Sequence, residues 1–480
     1  MSVDDWSRRT VLAALGLSPL AIACGGTGGK RKRETVPAPS MASTRETLRE
    51  LVASMSARFP YAAALAVARR RSRGFSDASR TRFDSELRTE VVFTAAEANG
   101  AIRERATTDI SPDGLAAAAA DLLAEPGRRA ELSRGADIPV ALAGDPRKTE
   151  RWLPRIEKLY RRALRHGGSR VVHRAAYLDI DDADVIYVGD GRDVAQRIVR
   201  TRAGVLFVGS IGRANHADVA ERAGATGIDD ILPNDDELEA AADDTLSLLT
   251  ARPIAAGEHD LVLAPSVSGL LAARCVAPAL TADRWNAGDS AAAPLRGHSA
   301  GSEHVTLLDD PTLAGGYGSY AFDDEGRAAD GPTRLIDAGV VAQPLTARAA
   351  VVLDLPRTPN GRRAGPLWPA MPSPSNLFFA AGSAGTREQV IASVDDGLLL
   401  EGGESAHGAP TAWSATVRIA RAREIKGGKL TGRLYGPVLL VDSVPRLLAG
   451  VTAASDTVER RAAGAMSMGG PYLVTRGKVA

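Results

Sequence analysis

Only two cysteines occur in 480 residues, Cys24 and Cys275, so neither a disulfide framework nor a four-thiolate metal site is available. Aromatic residues make up 4% of the chain, and neither sign of charge dominates: 59 Lys and Arg stand against 58 Asp and Glu, a net charge of +1. That balance removes the global electrostatic case for nucleic acid as a partner. Beyond the N-terminus no apolar run approaches the ~18 residues that a bilayer-spanning helix needs. Two familiar catalytic signatures are missing as well: there is no His-Glu-x-x-His and no Walker-type phosphate loop. His166, His173, His216, His259, His298, His304 and His407 are scattered, and no pair has helical ligand spacing.

What is present is globular. Hydrophobic residues at 44% and charged residues at 24% supply a core and a solvated surface, while 48 Gly and 27 Pro break the chain into short elements. At ~150 residues per domain, the length suggests about three units.

The first 23 residues read as an export signal. Ser7-Arg8-Arg9-Thr10-Val11-Leu12 resembles a twin-arginine pattern, and the apolar stretch Val11–Ala23 has no polar face and is too short to span a membrane. Ala21-Ile22-Ala23 before Cys24 resembles a lipoprotein cleavage box, which would acylate Cys24 and tie the mature chain to a membrane; the same Ala-x-Ala also suits an ordinary signal peptidase. Residues 24–43, with Gly25-Gly26-Thr27-Gly28-Gly29 and Lys30-Arg31-Lys32-Arg33, have the composition of a flexible tether. The expected location is the periplasm or cell envelope.

From there the pattern is α+β, with an α/β N-terminal part built on antiparallel sheet and flanking helices, followed by a β-rich C-terminal domain. Units are expected at 44–145, 146–256 and 257–480. Ser43-Thr44-Arg45-Glu46 has the form of a capping box, predicting a helix from Thr44 to Arg58. Strands are expected at Ala62–Ala68 and Glu90–Thr94, and Asn99-Gly100 signals a hairpin leading into Ala101–Ala106. Helices follow at Gly114–Ala124 and Pro146–Arg165. An antiparallel meander is expected through Val171–Ile180, Val185–Val188, Ile198–Thr201 and Val205–Ser210. A capped helix then runs from Asn234 to about Thr250. Beyond Gly257, helices are expected at Ser266–Leu280 and Thr386–Asp396, and strands at Thr411–Ala422, Leu430–Val441 and Tyr472–Arg476.

Local candidates for chemistry are sparse. His298, Glu303 and His304 form the one tight cluster of metal-ligand types, on a segment without a helix or strand period to converge them. Gly315-Gly316-Tyr317-Gly318 is a glycine-rich turn and not a nucleotide fingerprint. Met466 and Met468 read as packing residues. Cys275 lies beside Arg274 but has no histidine base nearby in sequence, which favours a small buried hydrophobe over a nucleophile.

An ordered series of short segments nevertheless resembles the TldD/PmbA (modulator-of-gyrase, TldD/TldE) metallopeptidase family. Leu263-Ala264-Pro265, Gly269-Leu270-Leu271 and Leu280-Thr281-Ala282-Asp283 are similar to the frame of its signature helix. Val305–Leu313, Phe322-Asp323-Asp324-Glu325-Gly326, Leu335–Val340, Asn360-Gly361-Arg362-Arg363, Pro372–Asn376 and Glu388–Ile391 continue the likeness in order. The resemblance covers most of residues 44–480.

It implies homo- or heterodimers around an enclosed cavity and, in active members, a His-Glu-x-x-x-His sequence on the signature helix with a third, cysteine ligand near the C-terminus. There the imidazoles and thiolate hold zinc and the glutamate acts as base. At the matching positions this chain has Ala273, Arg274 and Pro278 in place of the first His, the Glu and the second His, and no Cys follows Cys275. The expectation is therefore a chain without catalytic residues or cofactor of its own, the family zinc lost. It would be a non-catalytic subunit that binds peptide and completes the cavity of a homologous zinc-bearing partner, or pairs with itself. Its membrane contact would run through the N-terminal lipid, and no nucleic acid is involved, since an exported protein does not meet a cytoplasmic gyrase. Two other outcomes stay open: an active peptidase with a metal site rebuilt from His298, Glu303 and His304, and a tethered peptide-binding or scaffold lipoprotein.

Overall fold

The structure, a computed structural model, describes residues 40–124, 151–212, 214–352, 354–365 and 368–480. Arg8, Arg9 and Cys24, the expected end of the first unit and the Pro146 helix start lie outside them.

The N-terminal half is one six-stranded antiparallel sheet. Helix α1 (Met41–Ser56) leads into β1 (Tyr61–Ser76), β2 (Thr81–Ala96), β3 (Ile102–Thr107) and α2 (Pro112–Ala124). Then come α3 (Leu153–Ala163), β4 (Val171–Gly189), β5 (Arg192–Ile211), β6 (Ala214–Gly224), α4 (Ile228–Ile231) and α5 (Asp235–Leu248). The strand order β3-β2-β1-β4-β5-β6 joins the segments expected as two units into a single sheet, through the β1–β4 pairing. The first helix starts earlier than its capping-box pattern suggests. Ser40, not Ser43, is the N-cap, its hydroxyl accepting from the Ser43 N–H.

The strands run far past their expected ends, and the cause is charge. Sequence periodicity stops where Arg69-Arg70-Arg71 begins, but β4 lies alongside β1 with Asp179, Asp181 and Asp182 in register. Arg69 sits 3.4 Å from Asp181 and Arg73 3.8 Å from Asp179, while Arg197 on β5 pairs with Asp182 at 2.8 Å. Opposite charges on neighbouring strands thus continue a ladder that hydrophobic alternation does not announce. No sequence pattern predicts β6, and its run of half-buried polar residues explains why.

Helices α1 and α2 cover one end of the sheet through Leu48, Met55, Phe93 and Leu115; α3 and α5 cover the other through Ile156, Leu159, Phe207 and Leu238. On the opposite face Tyr61, Leu65, Tyr187 and Ile198 pack against Tyr320 and Phe322, so the second half of the chain docks directly on this sheet.

The C-terminal half begins with β7 (Gly257–Leu263), α6 (Pro265–Leu271), α7 (Ala282–Ala287), β8 (Leu307–Asp309), β9 (Thr333–Asp337), β10 (Val340–Val341), β11 (Gly361–Arg362), β12 (Met371–Pro372) and β13 (Asn376–Phe379). It continues with α8 (Arg387–Ala392), β14 (Asp396–His407), β15 (Ser414–Lys426), β16 (Lys429–Tyr435), β17 (Val438–Ser443), α9 (Val444–Ala449), β18 (Ala453–Ala454), β19 (Glu459–Ala463), β20 (Met466–Gly470) and β21 (Leu473–Val479). The order β14-β7-β21-β17-β15, with β14 also pairing β15, closes a barrel, and β16 extends β15. A second sheet, β10-β9-β8-β13-β20-β19, leaves β19 as an edge.

Three expectations in this half need correction. The helix expected at Thr386–Asp396 stops at Ala392, because Asp396 and Gly397 already pair with β7 and β15 as part of β14. The single strand expected over Leu430–Val441 is two, β16 and β17, since Gly436 and Pro437 interrupt the ladder. The helical run expected over Ser266–Leu280 is present but changes winding along its length. Among the described residues no helix is long and apolar enough to cross a membrane.

Candidate functional site

The segment matching the signature helix lies between barrel and second sheet. Pro265 opens it, with its fixed φ suited to a first helical turn and Ala264 as cap. Val267, Leu270, Leu271, Cys275 and Val276 bury into the main core. The helix can lie this close because Gly269 meets Gly469 of β20: a Cβ at Gly269 would sit 2.7 Å from the Gly469 Cα. Winding is α-helical to Leu271, widens to a π turn over Ala272–Val276 and tightens to 3₁₀ over Ala277–Ala279. The Ala277 N–H reaches back to Ala272 O, and Pro278 has no N–H to continue the series.

That irregular turn carries the three positions of interest. Ala273 is half-buried, Arg274 is exposed and Pro278 is half-buried. A methyl group and a pyrrolidine ring offer no lone pair, and a guanidinium neither ligates zinc nor acts as a base at physiological pH. Cys275, next along, points into the core at 1% exposure, and burial pushes its thiol up to about 11, against a small opposing pull from the Thr416 backbone N–H. It is neither a ligand nor an activated nucleophile. His298, Glu303 and His304 are all exposed on one loop. Among the described residues no three His, Cys, Asp or Glu side chains are grouped so as to hold a metal ion. The side chains at the signature positions do not fit zinc.

The other segments of the resemblance converge on a buried polar network. Asp309 (β8) accepts from Asn360 Nδ2 at 2.6 Å, from the Ser375 N–H at 2.7 Å and from Ser375 Oγ at 2.9 Å. Asn376 Oδ1 accepts from the Gly318 N–H at 2.8 Å and from Ser467 Oγ at 2.7 Å; its Nδ2 donates to Asp310 O and Ser319 Oγ. Asp309, Asn360 and Asn376 are wholly inaccessible, and burial lifts the Asp309 carboxyl to about 6 in spite of its donors. Ser467 belongs to β20, within Ala462–Pro471, the segment where the family resemblance would place the third-ligand loop. Here that segment is the turn and second strand of the β19–β20 hairpin, with Met468 buried and Met466 packed on the core, as packing residues.

Where this hairpin faces the N-terminal sheet, arginines and carboxylates meet. Arg421 (β15) reaches across to Asp218 (β6) at 2.9 Å and to Asp244 (α5), and Arg423 pairs with Asp244 at 2.8 Å and Glu401 at 2.7 Å. Tyr177 Oη donates to Glu221 (β6), and Arg202 Nη1 lies 3.7 Å from that carboxylate, which burial shifts upward. Next to these pairs is a cleft of about 200 Å³ lined by Ala223, Leu313–Tyr317, Arg460, Arg461 and Ser467. Its glycine wall is fixed from three sides: Arg200 Nε donates to Tyr317 O at 2.8 Å, the Ala225 N–H to Gly315 O at 3.0 Å, and the Gly318 N–H to Asn376. Sequence reasoning saw the glycine turn without its use and missed Arg460 and Arg461; their adjacency to the third-ligand segment was the available signal.

Residues 256–479 match the family described as the PmbA/TldA metallopeptidase C-terminal domain. A metalloprotease of Methanocaldococcus jannaschii is 29% identical over 231 residues, which cover 47% of this chain and 50% of that protein. A metalloprotease TldD homologue of Buchnera aphidicola is 25% identical over 193 residues, 40% of each chain. This chain thus spans about half the length, or less, of these curated relatives. Solved structures extend the likeness in fold. A protein named as a modulator of DNA gyrase from Bacteroides thetaiotaomicron has a TM-score of 0.72 at 14% identity, covering 91% of this chain and 98% of that one. TldE from Thermococcus kodakarensis has a TM-score of 0.69 at 16% identity, covering 90% and 100%. At such identities the likeness is one of fold.

Proposed function

Because the chain belongs to the TldD/PmbA family by its residues 256–479, we propose that it is a zinc-free member that acts as the non-catalytic subunit beside a metal-bearing homologue. The observation that carries this reading is the signature turn itself, where Ala273, Arg274 and Pro278 stand at the positions that the resemblance gives to two histidines and a glutamate, within an otherwise intact fold. Sequence likeness extends to a TldD homologue and likeness of fold to a TldE, which supports a reading within this group.

In this proposal the chain does no bond breaking. It completes a cavity wall and holds an extended peptide, for which edge strands of the kind β19 forms in its sheet offer backbone donors and acceptors. The partner supplies the hydrolytic centre. The N-terminal Arg8-Arg9 signal would export the folded chain, and an acyl group on Cys24 would hold it at a membrane.

Co-expression with a homologue that retains His-Glu-x-x-x-His tests the reading. Purification through a tag on this chain should recover both subunits in equal amounts, with peptide cleavage that a Glu→Gln change in the homologue's motif abolishes. Recovery of this chain alone, itself cleaving peptide, would overturn it.

A further inference from the structure

Arg461 lines the cleft at the point where β19 meets the paired charges of β6. Its side chain makes no hydrogen bond or ion pair with any described residue, and its Nε is buried without a partner. The two carboxylates in front of it are engaged elsewhere, Asp218 by Arg421 and Glu221 by Tyr177 and Arg202. Arg274, from the signature turn, adds a second positive charge nearby and works with burial to disfavour the charged form of Arg461, against Glu221 and Asp218. Next along β19, Arg460 lies over the Phe378 ring at 4.3 Å and also lacks an ion pair among the described residues. The half-buried Arg461 guanidinium lines the cleft without an ion pair among the described residues, so it is available to an anionic ligand there.

We propose that the cleft between Gly315–Tyr317 and Arg460–Arg461 is a carboxylate site that anchors the end of an extended peptide. This assignment rests on the peptide-binding reading above and names what part of the peptide is held. The geometry sets the ligand class. About 200 Å³ holds a group the size of one residue, below the 300–1,000 Å³ typical of drug-sized ligands. A planar guanidinium pairs best with a planar carboxylate through two parallel N–H donors. The cleft opens beside β19, the sheet edge along which a peptide backbone would lie. Gly315 and Gly316 keep the facing wall free of side chains. The carboxylate comes either from the peptide C-terminus or from an acidic side chain. Loss of the metal motif then has a positive counterpart, since Arg274 contributes charge where a zinc-binding turn would need ligands.

Three peptides separate the possibilities in equilibrium binding to the full chain: N-acetyl-tetraalanine with a free carboxyl end, its C-terminal amide, and that amide with one alanine changed to glutamate. The free acid, the glutamate amide or both should bind at least about tenfold more tightly than the neutral amide, as a charge-assisted pair in a desolvated site does. Whichever gains says which carboxylate is read. Arg461→Gln should bring all three to parity, and Arg461→Lys, which keeps the charge without the fork, should leave a smaller preference, in samples whose melting temperatures match the parent. Equal binding of the three peptides by the parent chain overturns the carboxylate site and leaves peptide binding standing. Binding of none overturns both, and a preference that survives Arg461→Gln removes Arg461 from the site.

Discussion

The buried network around Asp309 and Asn376 and the turn at Ala272–Val276 sit in the same domain and differ in what their side chains offer. In the network, side chains from β8, β13, β20 and the 360 and 318 loops meet with nearly every donor and acceptor used. On the turn, the positions where the family resemblance implies metal ligands carry a methyl, a guanidinium and a proline ring. The fold is that of the family, while these three positions carry no metal-ligating group. A family likeness can therefore rest on buried polar residues that hold the fold, and such a likeness by itself says little about which reaction a chain performs.

The contrast can be broken most forcefully inside the network. Asn376→Leu would leave the Gly318 N–H, the Ser467 hydroxyl, Asp310 O and the Ser319 hydroxyl short of a partner in the interior. The expected loss is about 3–5 kcal/mol in equilibrium urea unfolding. A loss under about 1 kcal/mol would mean that the network is not what holds this region.

A pH series sharpens the same point. The Asp309 carboxyl is lifted from 3.8 to about 6 by burial. Between those values the native state keeps a proton that the unfolded chain has released. Asp309 thus adds stability as pH falls through 6 toward 4 and withdraws it as pH rises, by up to about 3 kcal/mol. Asp309→Asn should flatten that window; an unchanged pH profile would contradict the assignment.

Effects at the turn should be small by comparison. With its thiol at about 11, Cys275 has about one part in a thousand as thiolate at pH 8 and is buried besides. It should resist iodoacetamide in the native chain and react on unfolding, as mass spectrometry of the intact protein would show. Rapid native labelling would reopen the case for a nucleophile. Smallest of all, Arg274→Ala should change stability by no more than about 0.5 kcal/mol, because the side chain is exposed and makes no ion pair among the described residues.

Much of the architecture is legible in the chain. The α3 and α5 helices and the Asn99-Gly100 turn follow from capping and hydrophobic periodicity, and the helical run after Pro265 lies where periodicity puts it. Less legible is anything set by partners distant in sequence. The Arg69–Arg73 stretch of β1 continues as strand only because Asp179 and Asp181 lie across from it, more than a hundred residues later. The π turn over Ala272–Val276 packs against distant strands such as β20, and hydrophobic periodicity does not signal it. At the site, the missing ligands can be read directly, since a residue type either has a lone pair or lacks one. Arg461 cannot be found that way. An arginine on an edge strand reads as solvated surface until the structure shows that the neighbouring carboxylates already have partners.

The central claim is tested most directly by metal analysis of the full chain, purified after growth with added zinc and assayed alone for peptide cleavage. The account predicts zinc far below one equivalent and no cleavage that a chelator can abolish. One tightly held zinc per chain, lost to a chelator together with peptidase activity, would contradict it.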